Sequence, residues 1–421
     1  MRPIRLAANQ VPRFYRGGAA IAELRGTKAP DEFLPEDWVG STTATYGSDA
    51  DGLTRLDDGR TLRAAIEADP EAFLGPRHVS AYGADPALLV KLLDAGERLP
   101  VHCHPGREFA SSHLGCRNGK TEAWVVVGTR GGGSGGLESE AGTEVAGGHA
   151  GPSGSPPVNR GSGGLESEAG TEVAGGHAGP SGSPPVDQGP RVHLGFRRDV
   201  DPEWLAGVVA GQQAGPLLVS LNALPVAPGD TVLVPAGVPH AIGEGVLLVE
   251  LQEPTDLSVL LEWDGFAVDG RRDGHLGLGF DLALRCVDRS GRGADELARL
   301  CGGRGQVRPG VERLFPAEAD PFFRAERLRP DPPASAGSLQ RTTLDAAFSI
   351  LVVTYGSGLV ETDAGALGLS RGDTVLLPFA AGRGEVSGPL EAVRCLPPEP
   401  EVAPRKAAAA DPGEPDRREA R

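Results

Sequence analysis

Two histidines separated by one residue, His102 and His104, lie in GERLPVHCHPGREFASSHLGCRNGKTE, the stretch from Gly96 to Glu122. On an extended strand side chains alternate between faces, so these imidazoles share one side and Cys103 takes the other. Two imidazoles on one face can grip a single metal ion. Far downstream, GDTVLVPAGVPHAIGE from Gly229 to Glu244 presents His240 after a turn containing Pro235 and Gly237. The two stretches read as halves of one metal site. Lys120 is one of only four lysines, with Lys28, Lys91 and Lys406; its cation can neutralise a developing oxyanion or bind a phosphate. His78, His113, His193 and His275 lack comparable context and read as surface or structural residues.

The elements that must hold these groups are short strands and turns. The chain has 421 residues, 39% hydrophobic but only 5% aromatic, with 62 Gly and 37 Pro, which suits a turn-rich β protein. Its net charge of -16 argues against a nucleic-acid or anionic-membrane partner. No run of about 18 apolar residues is present and the N-terminus lacks an apolar signal core, so a cytoplasmic protein is expected. Five sparse cysteines without CxxC spacing fit reduced thiols there.

Along the chain, residues 1–60 read as short strands and turns. Thr61 can cap one helix across LRAAIEADPEAFLG, stopped by Gly75. ALLVKLLDAGERLPVHCHP supplies a buried strand, a turn at Ala95-Gly96 and the histidine strand, and EAWVVVG supplies another strand. Between residues 131 and 189, GSGGLESEAGTEVAGGHAGPSGSPPV occurs twice letter for letter, at 133–158 and 161–186. A repeat so poor in apolar residues reads as a disordered insertion, with His149 and His177 as passengers. After it come the strand RVHLGF, a helix at DPEWLAGVVAG capped by Asp201, closely spaced strands from LLVSLNALP to LSVLLEW, and a helix at ADELARLCG. GDTVLLP at Gly372 echoes GDTVLVP at Gly229, pointing to a second barrel of the same kind without histidines.

These spacings resemble the cupin motifs: Gly96, His102, His104, Glu108 and Gly115 for the first, and Gly229, Pro235, Gly237 and His240 for the second, with Glu244 where Asn is usual. More narrowly, LLVKLLDAGERLPVHCHP, NGKTEAW and VPAGVPHAIGEGVLLVELQ resemble the class I, zinc-dependent mannose-6-phosphate isomerases of the cupin superfamily. The resemblance implies a mainly β fold of two jelly-roll-type cupin barrels with a few helices. It sets residues 1–130 and 190–268 as the halves of the metal-bearing barrel and 269–340 as a connecting region with a helix. A metal-free barrel segment at 341–398 and a disordered tail at 399–421 complete the organisation.

Carried over residue by residue, the family's metal ligands fall on His102, His104, Glu122 and His240, with His102 replacing Gln. One zinc per chain is implied, and a three-histidine, one-carboxylate set also suits Fe2+ or Mn2+. Glu122 is favoured over Glu108 because KTE is matched whole. Glu250 of VELQ matches the carboxylate assigned to proton transfer, and Lys120 joins it as a catalytic residue. The implied reaction interconverts mannose 6-phosphate and fructose 6-phosphate through an enediol, so the expected partner is a small sugar or sugar phosphate. Two positions depart from the family: Pro100 stands where a phosphate-associated Ser is usual, and Leu260 where an Arg is. Either Arg271, Arg272 or another cation compensates, or the substrate is an unphosphorylated or related sugar. A metal-binding cupin serving as a non-catalytic sugar-binding or regulatory protein is the reading from another class, and an iron-dependent cupin oxygenase is a third.

Overall fold

The computed structural model describes residues 1–28, 31–131, 189–303, 305–330 and 341–400. Almost all of the insertion expected at 131–189, with His149 and His177, and the tail from 401 onward lie outside the described residues. The described residues are mainly β, in three antiparallel sheets of six, five and ten strands. Among the described residues no helix is long and apolar enough to cross a membrane.

The six-stranded sheet runs in the order Gln10–Val11, Glu36–Val39, Leu89–Asp94, Val246–Gln252, Glu122–Thr129, Thr231–Val234. Its two central strands, LVKLLD and VLLVELQ, are buried along their whole length. A strand covered on both faces reads as a continuous apolar run, as these do apart from the interruptions at Lys91, Asp94, Glu250 and Gln252. The five-stranded sheet, in the order Val259–Leu260, His102–Cys103, His240–Ile242, Arg191–Phe196, Leu221–Pro225, forms the other wall.

The ten-stranded sheet is built on the long strand Ser349–Thr362. It takes in Gly305–Arg308, Val311–Arg313 and Arg324–Leu328 from the stretch expected as a connecting region, and Ile4–Leu6 from the N-terminus. The echoed GDTV stretches open the same way, with Gly229 at φ 93° and Gly372 at φ 87°, a conformation that favours glycine. Each leads into a fully buried strand, Thr231–Val234 and Thr374–Leu377.

Three local expectations need correction. The single helix after Thr61 is two, Leu62–Ala68 and Pro70–Leu74: Pro70 lacks an N–H and bars helical geometry at Asp69, which caps the second helix instead. LLVS is the end of a helix, Ala214–Ser220, with Pro216 in its first turn, and the strand begins at Leu221. Residues 1–60 contain a helix, Ala19–Arg25, with no side-chain cap of its own. Its cap comes from Asp94, whose Oδ2 accepts the Gly18 and Ala20 N–H groups at 2.8 and 2.7 Å. A cap supplied from 74 residues away leaves no local signature. Asp94→Ala strands two buried donors and is expected to cost about 1–3 kcal/mol of stability; an unchanged urea midpoint would show that the helix start does not depend on Asp94.

Candidate metal centre and active site

The two smaller sheets face each other, and register decides which side chains meet between them. His240 pairs directly with His102, and His102 with Leu260, across three adjacent strands. On the other wall Trp38, Lys91, Glu250 and Trp124 form one row across four strands, since directly paired residues share a face. Glu122, two residues from Trp124, lies on that face as well.

The three imidazoles converge so that a nitrogen from each lies within 4.8 Å of the others. In every ring Nδ1 stands 2.8 Å from a backbone carbonyl, of Pro100 for His102, Leu257 for His104 and Val238 for His240. A carbonyl only accepts, so Nδ1 carries the proton and Nε2 keeps its lone pair, the tautomer a metal requires. His240 Nε2 is buried with no hydrogen-bond partner. Burial, then the neighbouring imidazoles and Lys120, hold His102 well below the usual histidine range. Burial and Lys120 lower His104 to about 3, so both rings are neutral at physiological pH. Glu122 completes the set, with Oε2 3.1 Å from His104 Nε2 and Oε1 3.2 Å from His240 Nε2. Burial raises the pKa of Glu122, but Lys120 and the two histidines outweigh it and leave the carboxyl well below its ordinary value. Three imidazoles and one carboxylate are donors that fit a divalent transition metal. Glu108, by contrast, is exposed on the helix Arg107–Leu114.

Beside this cluster Lys120 Nζ donates to His104 Nε2 at 2.8 Å and to Glu122 Oε2 at 2.7 Å. A metal ion competes for that His104 lone pair, while Lys120 keeps Glu122 and Glu250, the latter 3.8 Å away, as partners. Glu250 is 2% exposed, and its Oε1 lacks a hydrogen bond. Burial raises its carboxyl to about 7, against the pull of Lys91 at 3.7 Å and with a push from Glu122.

Several residues of the cavity were not singled out from sequence: Arg13, Tyr15, Glu36 and Lys91 line it with the expected groups. Glu36 accepts from Tyr15 Oη and from Trp38 Nε1 and lies 3.4 Å from Lys91 Nζ. Arg13 forks onto Asp256 at 3.0 and 2.7 Å. A signal existed for Lys91, a lone cation inside a buried apolar run, but none for Arg13. Pro100 and Leu260 both line the cavity, together with Phe14, Leu99 and Ile242. Arg271 and Arg272 do not line it: both are exposed, and Arg272 is paired with Asp273.

Known proteins share this architecture. The mannose 6-phosphate isomerase of Bacillus subtilis superimposes with a TM-score of 0.63 at 18% identity, over 94% of this chain and 99% of that one. The chain has the cupin-type mannose-6-phosphate isomerase fold. A mannose 6-phosphate isomerase bound with zinc and yttrium has the same fold, with a TM-score of 0.61 at 16% identity over 95% of this chain and all of that one. In sequence, the mannose-6-phosphate isomerase of Streptococcus mutans is 23% identical over 308 residues, 73% of this chain and 72% of that relative. The mannose-6-phosphate isomerase of Bacillus subtilis is 26% identical over 264 residues, 62% of this chain and 61% of that relative. No protein-family model matches.

His240→Ala tests the metal cluster. Disturbing groups that merely orient ligands costs roughly 10–100-fold in metal affinity, so loss of a ligand is expected to cost more. Metal content after dialysis against a chelator should fall well below that of the unaltered protein; full retention would remove His240 from the ligand set.

Proposed function

We propose that the protein is a metal-dependent aldose–ketose isomerase that interconverts mannose 6-phosphate and fructose 6-phosphate. The observation that carries this reading is the convergence of His102, His104, Glu122 and His240 beside a buried, unsatisfied Glu250 carboxylate. These four residues would hold the ion, with zinc favoured by the zinc-bound relative and Fe2+ or Mn2+ also suited to the donors. When bound, the ion supplies Lewis-acid polarisation of the substrate oxygens.

The remaining chemistry belongs to the chain. Isomerisation removes a proton from C2 of the aldose and returns one at C1, with an enediol between. Glu250 takes the proton on Oε1, the oxygen left without a hydrogen bond. A carboxyl poised at about 7 is basic enough to accept a proton and acidic enough to release it. Lys91 and Lys120 flank it at 3.7 and 3.8 Å and limit how far burial raises it. Lys120 also faces the forming oxyanion, and Glu36 holds Lys91 in line from the far side. A cytoplasmic location belongs to the same proposal and is supported by five free cysteines.

A second reading, of a sugar without the 6-phosphate, rests on the outer wall. Phe14, Leu99, Pro100, Ile242 and Leu260 present an apolar surface, and Arg13, the cation nearest to a replacement anchor, is already engaged by Asp256. The deciding assay is conversion of mannose 6-phosphate to fructose 6-phosphate by the zinc-loaded protein, with unphosphorylated mannose beside it. Turnover of the phosphorylated sugar is the expected result, turnover of mannose alone supports the second reading, and turnover of neither refutes the isomerase.

Two measurements test Glu250. Glu250→Gln should lower kcat by roughly 10²–10⁴-fold, the range for loss of a general base, while leaving metal bound. The base works deprotonated, so kcat/KM should fall as pH drops through about 7 or somewhat below, since a bound cation nearby lowers the carboxyl further. A profile flat between pH 5 and 8 would exclude the assignment.

A further inference from the structure

Cys103 lies between the two histidines of the metal strand and points away from them into a second core. Its Sγ is 3.7 Å from Sγ of Cys286, a residue 183 positions on, at the end of the short helical turn Leu284–Cys286. Cys103 is fully buried, whereas Cys286 is partly exposed. The segment carrying Cys286 also supports the other half of the cluster. Asp288 donates its N–H to the Gly237 carbonyl at 2.8 Å, and Gly237 donates to the His104 carbonyl at 2.7 Å. Gly237, at φ 85°, sits so close to the Cys286 carbonyl that a Cβ there would approach it to 2.9 Å. Cys286 therefore abuts both the strand bearing His102 and His104 and the turn leading to His240.

We propose that Cys103 and Cys286 form a redox modification site, in which a disulfide between them disturbs the metal cluster. A peroxide supplies the oxidising equivalents. It meets the accessible sulfur first: the O–O bond breaks, an S–O bond forms at Cys286, and one water leaves. Sγ of Cys103 then attacks that sulfur. The S–S bond forms, the S–O bond breaks, and the departing hydroxyl takes the Cys103 proton as a second water. Two thiols are oxidised by two electrons, and one peroxide is reduced to two waters.

Closing the pair from 3.7 Å to the bonded distance of about 2.0 Å draws the sulfurs together by about 1.7 Å. Metal–ligand distances hold to within about 0.2 Å, so a strand with ligands on both sides of Cys103 cannot yield that far unnoticed. The neighbouring turn cannot absorb the motion, because it is hydrogen-bonded to the same strand. The effect on the cluster rests on the metal-site reading above, whereas formation of the bond does not.

The test treats the metal-loaded full chain with hydrogen peroxide and maps disulfide-linked peptides, with metal release followed by a chromophoric chelator and isomerase activity in parallel. The expected result is a peptide joining Cys103 to Cys286, a roughly 10–100-fold fall in metal affinity with loss of activity, and recovery of affinity and activity when dithiothreitol cleaves the link. Cys286→Ser, which touches neither ligand nor substrate, should keep its metal and activity through the same treatment. Absence of the linked peptide overturns the proposal. So does a linked protein that keeps its metal, or a Cys286→Ser variant that loses metal as readily as the parent. A protein that takes up no metal before treatment refutes the metal reading instead, and the peptide map still decides whether the bond forms.

Discussion

Opposite charges buried together are what the rest of the structure must accommodate. Between the two smaller sheets lie the buried Glu36, Glu122 and Glu250 against Lys91 and Lys120, with the half-buried pair of Arg13 and Asp256 beside Glu36. Burying an ion costs several kcal/mol unless it is paired, so one carboxylate beyond the cations is an unstable arrangement. The raised carboxyl of Glu250 is the local response, as it is the member that most readily takes up a proton. A divalent ion held by the imidazoles would reverse the sign of the cavity's balance. On the proposed reaction that is the polarity a negatively charged intermediate would need, so the electrostatics that suit a metal and those that would favour enolisation are one property.

The sheet makes this arrangement affordable by fixing it before any substrate arrives. Lys91, Glu250 and Trp124 are direct cross-strand partners, and the strands holding them are hydrogen-bonded along their length. Lys91 also rests 4.9 Å over the Trp38 ring, and Trp124 lies 5.5 Å from His240 and donates from Nε1 to Glu122. Indoles thus orient both carboxylates, Glu36 through Trp38 and Glu122 through Trp124. Little reorganisation is left for the moment of reaction.

What could be read in the sequence follows from which interactions are local. His102, Cys103 and His104 are legible because strand alternation is a one-residue rule, and Glu122 is legible through a contiguous triplet. Glu250 is legible through the matched VELQ stretch, and Lys91 on the neighbouring strand carries the signal of a lone cation in a buried apolar run. The helix Ala19–Arg25 is illegible because its cap, Asp94, comes from a distant strand. Arg13 is illegible for the same reason: its partners Glu36 and Asp256 lie 23 and 243 residues away. The ten-stranded sheet is legible only in part, since Ile4–Leu6 joins it through pairing with Thr374–Leu376, which no short-range pattern encodes.

The cavity separates two tasks that sequence similarity tends to merge. On the proposed reaction, proton transfer between C1 and C2 would draw on His102, Glu122, Glu250 and Lys120, which share the charged side of the cavity. The same proposal gives recognition of the far end of the sugar to the wall around Pro100 and Leu260, and Leu260 is the direct strand partner of His102. Because that pairing fixes the backbone and not the side chain, position 260 can carry a cation or an apolar residue without moving His102 beside it. Binding energy from a remote group can lower the barrier only if it is spent on holding the reacting carbons in place. On that proposal Pro100 and Leu260 at the wall bear on the choice of substrate and leave the charged side unchanged, and Arg13, already engaged by Asp256, is the cation an incoming anion would have to draw away.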